Sequence, residues 1–474
     1  MPLQLQNILF DSVEEGETVL VPSAGKIPTE IAGTYYLNGP ANFRRGDFTY
    51  QHWLDGDGLV RALQLRDGKA EHVMRYVRTK KYADEEEAGK AIYRGFGTAF
   101  EGDKLRRRMC LETPANVNVD LFSNRLLAFG EQALPVEISP GTLETIGEFN
   151  FEGKLMEITP FSAHPKIAND RLCNFGLKYL MSATRLCYWE FDSNFECVSE
   201  QEVDPGFPYS VHDFTVSENY ASFYLSPYFL DIAAFIRGGK SIHDSLEWRP
   251  EDKNVLLVLS RTGEKKEVRI PFDSHGYCLH LIQSFEEGDT LTIDLLETAE
   301  PLYPQYLPLP SLFDSVKPCA LVRIRIDTSS WKVLNVVKAQ QDVHLDFPAV
   351  LEPETGLSRD LVWVLGMPTE LIGDSKYYDR ILLYNWANGE VADTYQAPEG
   401  SFISGEPCLV AKEGSDAAGY LICPLWNAAR NESSYLVLDA FDLAAGPVAV
   451  LPLPTPSPLG FHSSFVPFSK INDC

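Results

Sequence analysis

Leu321-Val322-Arg323-Ile324-Arg325-Ile326 alternates apolar and basic residues after its first position, the pattern of a strand with one face buried. The same reading applies to Val255-Leu256-Leu257-Val258-Leu259, Thr290-Leu291-Thr292-Ile293-Asp294-Leu295 and Ser434-Tyr435-Leu436-Val437-Leu438. Turn residues stand between such runs: 33 Gly and 31 Pro punctuate 474 residues, and Asp67-Gly68 and Asn388-Gly389 sit where hairpin turns belong. Strands ending in an acid and a turn recur at Asp192-Ser193-Asn194 and Asp439-Ala440-Phe441-Asp442-Leu443, without a repeat clean enough to count units. Many short antiparallel strands over this length favour a propeller or a sandwich array over alternating strands and helices. No low-complexity stretch or long linker divides the chain, so one closed domain over 1–474 is expected.

One stretch departs from the strand pattern: Pro227-Tyr228-Phe229-Leu230-Asp231-Ile232-Ala233-Ala234-Phe235-Ile236-Arg237-Gly238-Gly239. Phe229, Ile232, Ala233 and Ile236 fall at i, i+3, i+4 and i+7, with Tyr228 and Phe235 on the flanks, which predicts a short apolar helix near 228–237. It is too short to cross a membrane, and no run of about 18 apolar residues exists elsewhere. Two readings stay open: the helix packs on the domain's own core, or it lies in a membrane interface and passes a greasy ligand to a tunnel.

Hydrophobic residues make up 45% of the chain and charged residues 23%, which is globular composition. A formal charge of −26 opposes extended contact with phosphate backbones, so nucleic acid is not an expected partner. Nine cysteines, spread from Cys110 to Cys474 without CxxC pairs, read as reduced thiols in a cytoplasmic protein. Met1 to Leu20 holds acids and no Lys or Arg, so the positive start of a secretory signal is missing, and the sequon Asn431-Glu432-Ser433 carries no weight.

Several motifs fail on inspection. Gly239-Lys240-Ser241 has Ala234 where a phosphate loop needs its first glycine, and an apolar helix precedes it. Asp55-Gly56-Asp57-Gly58 lacks the acid a calcium loop needs at its twelfth position, which is Arg66, so a hairpin turn is the better account. Arg106-Arg107-Arg108 reads as a solvated face.

The nine histidines are His52, His72, His164, His212, His243, His275, His280, His344 and His462. Four have distinctive surroundings: Ala163-His164-Pro165-Lys166, Val211-His212-Asp213-Phe214, His280-Leu281-Ile282-Gln283, and Phe461-His462-Ser463-Ser464. Four neutral imidazoles can hold a ferrous ion and leave positions open for dioxygen. Their wide separation carries no local metal signature, and each alone could be a core or surface group.

Context separates these readings. Gly33-Thr34-Tyr35-Tyr36-Leu37-Asn38-Gly39-Pro40, His52-Trp53-Leu54-Asp55-Gly56-Asp57-Gly58, Tyr93-Arg94-Gly95-Phe96-Gly97-Thr98, Phe161-Ser162-Ala163-His164-Pro165-Lys166, Asn174-Phe175-Gly176 and the other histidine segments resemble the carotenoid cleavage oxygenase family, nearly end to end. The resemblance implies an all-β fold, a seven-bladed β-propeller with a small helical cap, and Fe(2+) on its axis held by His164, His212, His280 and His462 from different blades. It also implies that Glu131, Asp346 and Glu406 each accept the N–H of a ligand's far ring nitrogen. The family usually has Glu at the middle position, so Asp346 is a shorter arm and either the backbone moves in or a water bridges. Val117 stands where many relatives place Thr near an open iron position, keeping the shape without the hydroxyl.

The implied activity is an Fe(2+)-dependent dioxygenase that splits a conjugated C=C bond of a carotenoid or apocarotenoid into two carbonyls, near the 15,15′ position, giving retinal-like aldehydes. Its partners would be a lipophilic substrate and dioxygen, with no obligate protein partner. Stilbene-cleaving members carry a Lys that contacts the substrate hydroxyl; Gly130 stands at that place here, which favours a long apolar substrate. The alternatives are a stilbene or phenylpropenoid cleaver, a retinoid isomerase relative, and a propeller that only binds a lipophilic pigment. Family members dock on membranes through an apolar patch in this part of the chain, so Tyr228, Phe229, Ile232, Phe235 and Ile236 are expected to make a peripheral membrane contact.

Overall fold

A computed structural model describes residues 13–180, 183–262, 267–306, 312–350, 359–369, 377–412 and 418–470; the ends of the expected 1–474 domain, Cys474 included, lie outside this set. Antiparallel strands form seven sheets of four to six strands, the blades of a propeller, plus two short two-stranded ribbons. The runs read from alternation lie inside the strands Cys319–Asp327, Asn254–Ser260, Thr290–Thr298 and Glu432–Asp439.

The strand Cys319–Asp327 shows why alternation is so clear here. Val322, Ile324 and Ile326 are buried against Leu256, Val258 and Ile270 of the preceding blade. Arg323 points the other way, donating to Asp294 Oδ1 of its paired strand at 2.7 Å and to Asp360 Oδ1 beside the next blade at 2.5 Å. Asp67 and Gly68, at φ 52° and 71°, make the tight turn between Asp57–Arg66 and Lys69–Tyr76, a pair of left-handed residues that suits a two-residue hairpin.

The ring closes twice. The C-terminal strand Ser463–Pro467 pairs with Gly33–Leu37 in the first blade, and Ala24–Gly25 pairs with Pro447–Pro452 in the last. Between these blades lie Leu37, Leu63 and Leu65 from one side and Tyr435, Val437 and Leu451 from the other, all buried.

The expected cap is mostly loop, with one helix of any length, Lys80–Ala88, among the described residues. Thr79 caps it by accepting from Tyr82 N at 3.2 Å, and Gly89 ends it at φ 61°. Lys81 and Glu85 turn inward to a buried charge cluster with Arg45 and Asp57. Asp57 therefore opens a strand and Asp55 ends the 3-10 turn Trp53–Asp55, so the hairpin expected at Asp55-Gly56-Asp57-Gly58 does not form. Arg106 and Arg107 pair with Glu148 and Glu157, as a solvated face should.

The segment near 228–237 is not one helix. Tyr228–Leu230 is a strand paired with Leu246–Trp248, and only Ile232–Ile236 is helical, capped by Asp231. Tyr228, Phe229 and Phe235 are buried, while Ile232 and Ile236 are half-buried. Arg94 holds Phe235 inward, donating to its carbonyl at 2.7 Å. Three of the five expected membrane-facing side chains thus belong to the protein's interior. Among the described residues no helix is long and apolar enough to cross a membrane.

Candidate metal centre

Each blade sends one side chain to the axis, at or near its inner edge strand. His462 immediately precedes Ser463–Pro467, Glu131 follows Arg125–Phe129, and His164 and His212 lie just before Lys166–Ala168 and Thr215–Val216. His280 precedes Leu281–Glu287, Asp346 lies within Val343–Ala349, and Glu406 falls between Ser401–Ile403 and Cys408–Ala411.

Three asparagines, Asn38 and Asn174 buried and Asn118 half-buried, fix the backbone that carries the rings. Asn174 Nδ2 donates to Ser162 O at 2.9 Å, Asn118 Nδ2 to Ala163 O at 2.9 Å, and Asn38 accepts from Phe461 N at 2.8 Å through its carbonyl. Ser162 Oγ accepts from His164 N at 3.2 Å and donates to His212 O at 3.1 Å, tying two histidine-bearing segments together. His462 N donates to Val117 O at 3.2 Å, which sets Val117 beside that ring, its side chain buried.

His164, His212, His280 and His462 are all buried, and one ring nitrogen from each lies within 4.8 Å of all the others. The Nε2 atoms of His164 and His212 are 2.9 Å apart, and those of His212 and His280 are 3.2 Å apart. Nδ1 of His280 is 2.5 Å from Asp346 Oδ1, and Nδ1 of His462 is 3.1 Å from Glu406 Oε1. A proton donated to each carboxylate leaves a bare lone pair at Nε2, facing inward. Crowded, buried acceptors repel one another unless a cation stands among them, and a set of neutral nitrogens suits Fe(2+). The residues present therefore fit the metal.

Asp346 reaches its ring despite the short side chain because the backbone moves in. The pairing register shifts between Asp346 and Ala349, and Phe347 takes φ 51°. Burial pushes Asp346 up, but the facing His280 outweighs it and holds the carboxyl down at about 2. For His280 burial acts downward and Asp346 outweighs it, so its pKa is raised. Burial, and then the three other rings, keep His164 well below the ordinary imidazole value and so neutral.

The Glu131 pair is different. Its Oε1 lies 2.8 Å from His212 Nδ1 yet makes no aligned hydrogen bond, and the Tyr303 hydroxyl stands 3.1 Å from the same nitrogen. Burial raises Tyr303 far above the ordinary phenol value, so it stays a neutral hydroxyl. Tyr303 had no signal in the sequence, because it sits alone in a connection.

Beside the rings lies an aromatic cluster. Phe347 lies tilted 5.2 Å from His462, Trp53 lies 4.3 Å from Phe461, and Tyr306 and Phe313 meet Trp53 edge-on at 5.3 and 5.6 Å. At Gly130 a Cβ would land on Thr113 Oγ1, so Thr113 fills the place a longer residue would need.

Fold and site together are those of a β-propeller whose cluster of four histidines suits non-haem iron. The family model described as retinal pigment epithelial membrane protein matches residues 9–467, and the chain belongs to this family, that of the carotenoid cleavage oxygenases. It is 29% identical over 466 residues to apocarotenoid-15,15′-oxygenase from Synechocystis sp., covering 93% of this chain and 91% of that protein. Lignostilbene-alpha,beta-dioxygenase isozyme III from Sphingomonas paucimobilis is 28% identical over 481 residues, covering 96% of this chain and 95% of that one. The crystal structure of cobalt-substituted Synechocystis ACO matches with a TM-score of 0.87 at 26% identity, over 98% of this chain and 99% of that one. The chain is accordingly an Fe(2+)-dependent cleavage dioxygenase.

Proposed function

We propose that this enzyme cleaves a conjugated double bond of an apocarotenoid, near its 15,15′ position, to two aldehydes. In this reading His164, His212, His280 and His462 hold the iron, Glu131, Asp346 and Glu406 orient three of the rings, and Val117 flanks an open position. Bound iron supplies dioxygen activation. The protein's own residues do the rest: the aromatic faces of Trp53, Phe347 and Phe461 exclude water and stabilise cationic character on a polyene lying beside the rings. The observation that carries the substrate class is Gly130, which supplies no charged side chain to a phenolate and whose place is filled by the uncharged Thr113. The likeness to apocarotenoid-15,15′-oxygenase supports the same choice. Incubating iron-loaded protein with apocarotenals, carotenoids and resveratrol, and weighing the aldehydes by mass spectrometry, tests it. Aldehydes from the 15,15′ bond are expected; cleavage of resveratrol alone would overturn the reading.

We also propose a peripheral contact with neutral membranes, made by the half-buried Ile232 and Ile236 together with Phe207, which is 55% exposed and packs 5.3 Å from Phe229. A net charge of −26 disfavours anionic lipid. No disulfide joins the eight described cysteines, which supports a reducing, cytoplasmic setting. Replacing Phe207 and Ile236 with Ser should lower partitioning onto phosphatidylcholine vesicles; unchanged partitioning removes the contact.

A further inference from the structure

Three of the four imidazoles face a carboxylate at their far nitrogen, and His164 is the exception. The carboxylate on its side is Asp213, whose Oδ1 lies 3.9 Å from His164 Nδ1, beyond hydrogen-bond reach. Asp213 is 3% exposed and engaged on every side. Its Oδ1 takes Lys166 Nζ at 2.9 Å and its own neighbour Phe214 N at 2.8 Å, and its Oδ2 accepts from Leu281 N at 2.9 Å.

These partners are placed with regularity. Lys166 lies two residues after His164 at the inner edge of the third blade, Asp213 directly after His212 in the fourth, and Leu281 directly after His280 in the fifth. One carboxylate therefore ties together the inner edges of three consecutive blades, each at the segment that carries a ring. His462 lies outside this clamp and is held instead through Asn38, Val117 and Glu406.

We propose that Asp213 is a positioning residue of the metal centre, setting the spacing of His164, His212 and His280 and orienting His164 by charge rather than by a direct hydrogen bond. Lys166 offsets part of that charge, so His164 is the ring least polarised by its surroundings. The inference rests on the four-histidine site, and the experiment separates the two.

Apoprotein is titrated with Co(2+), following both affinity and the visible ligand-field bands. Failure of the wild type to bind one ion per chain would sink the four-histidine reading itself. Given wild-type binding, Asp213→Asn keeps an acceptor for Leu281 N and removes the charge; affinity should fall about 10- to 100-fold, the range for residues that orient metal ligands, with shifted bands. Lys166→Met removes the cation that offsets the Asp213 charge and leaves the backbone donors Phe214 N and Leu281 N in place, so affinity should stay equal or tighten. Wild-type affinity and bands in Asp213→Asn, or a tenfold loss in Lys166→Met, would overturn the proposal. If Asp213→Asn does not fold, the Lys166→Met titration still decides, because a mere structural ion pair predicts weakening there.

Discussion

The two sides of the axial site are built differently. Around His280 and His462 each far nitrogen meets a carboxylate at 2.5 or 3.1 Å, whereas at His212 the carboxylate is near but unaligned and at His164 it stands 3.9 Å away. A propeller offers one inner position per blade. With four given to imidazoles, only three remain for carboxylates, and the fourth ring must borrow from the residue that follows its neighbour. The lesson is that symmetry of the fold does not impose equal ligands, since direct hydrogen bonds to a ligating histidine tune it more strongly than charge at a distance.

Removing a ring should have the largest effect. His280→Ala takes away a donor and strands Asp346 as a buried carboxylate, so metal content and turnover should fall to background, checked by elemental analysis and product chromatography. Wild-type iron in that variant would remove His280 from the site. Next come the carboxylates, and their order sharpens the contrast. Asp346→Asn should cost about 10- to 100-fold in metal affinity, and Glu131→Gln only a few-fold, because the Glu131 oxygen is not aligned. The reverse order in a Co(2+) titration would show that proximity, not alignment, governs.

A smaller effect is expected at the substrate side. Gly130→Ala sets a methyl against Thr113 Oγ1 and should destabilise by about 1–3 kcal/mol, the usual range for overpacking. Combining it with Thr113→Ala should recover most of that loss in thermal unfolding; simple additivity would mean that the two do not touch.

The smallest effect concerns acid. His52 is buried, and burial, with His243 adding to it, lowers its pKa from 6.5 to about 3. Its Nδ1 accepts from Leu54 N at 3.1 Å, which needs the neutral ring. A lowered folded-state pKa contributes stability that is fully present above pH 6.5 and is lost as pH falls from there toward 3. His52→Gln should therefore unfold with a shallower dependence on pH between 7 and 4 than the wild type. Parallel curves would show that His52 does not titrate with unfolding.

Much of this was legible because the determinants are local. Strands such as Asn254–Ser260 and Cys319–Asp327 carry their own alternation, and the ring-bearing blocks are short enough to be matched residue by residue. The Asp346 arm could be narrowed to two geometries from its length alone, and the bulge at Phe347 selects the inward shift. What escaped depended on partners far along the chain. Tyr228 and Phe229 satisfy helical spacing, but Leu246–Trp248 offers strand hydrogen bonds, and a short apolar run cannot declare which it will take. Asp213 looked like part of a histidine motif, and its role arises only once Lys166 and Leu281 arrive from neighbouring blades.

The strand that closes the ring also delivers the last imidazole, His462, one residue before Ser463–Pro467 zips onto Gly33–Leu37. Ring closure and delivery of that imidazole are thereby coupled. Opening the pairing between Ser463–Pro467 and Gly33–Leu37 would withdraw His462 from the other three rings, so the metal centre is only as durable as that seam.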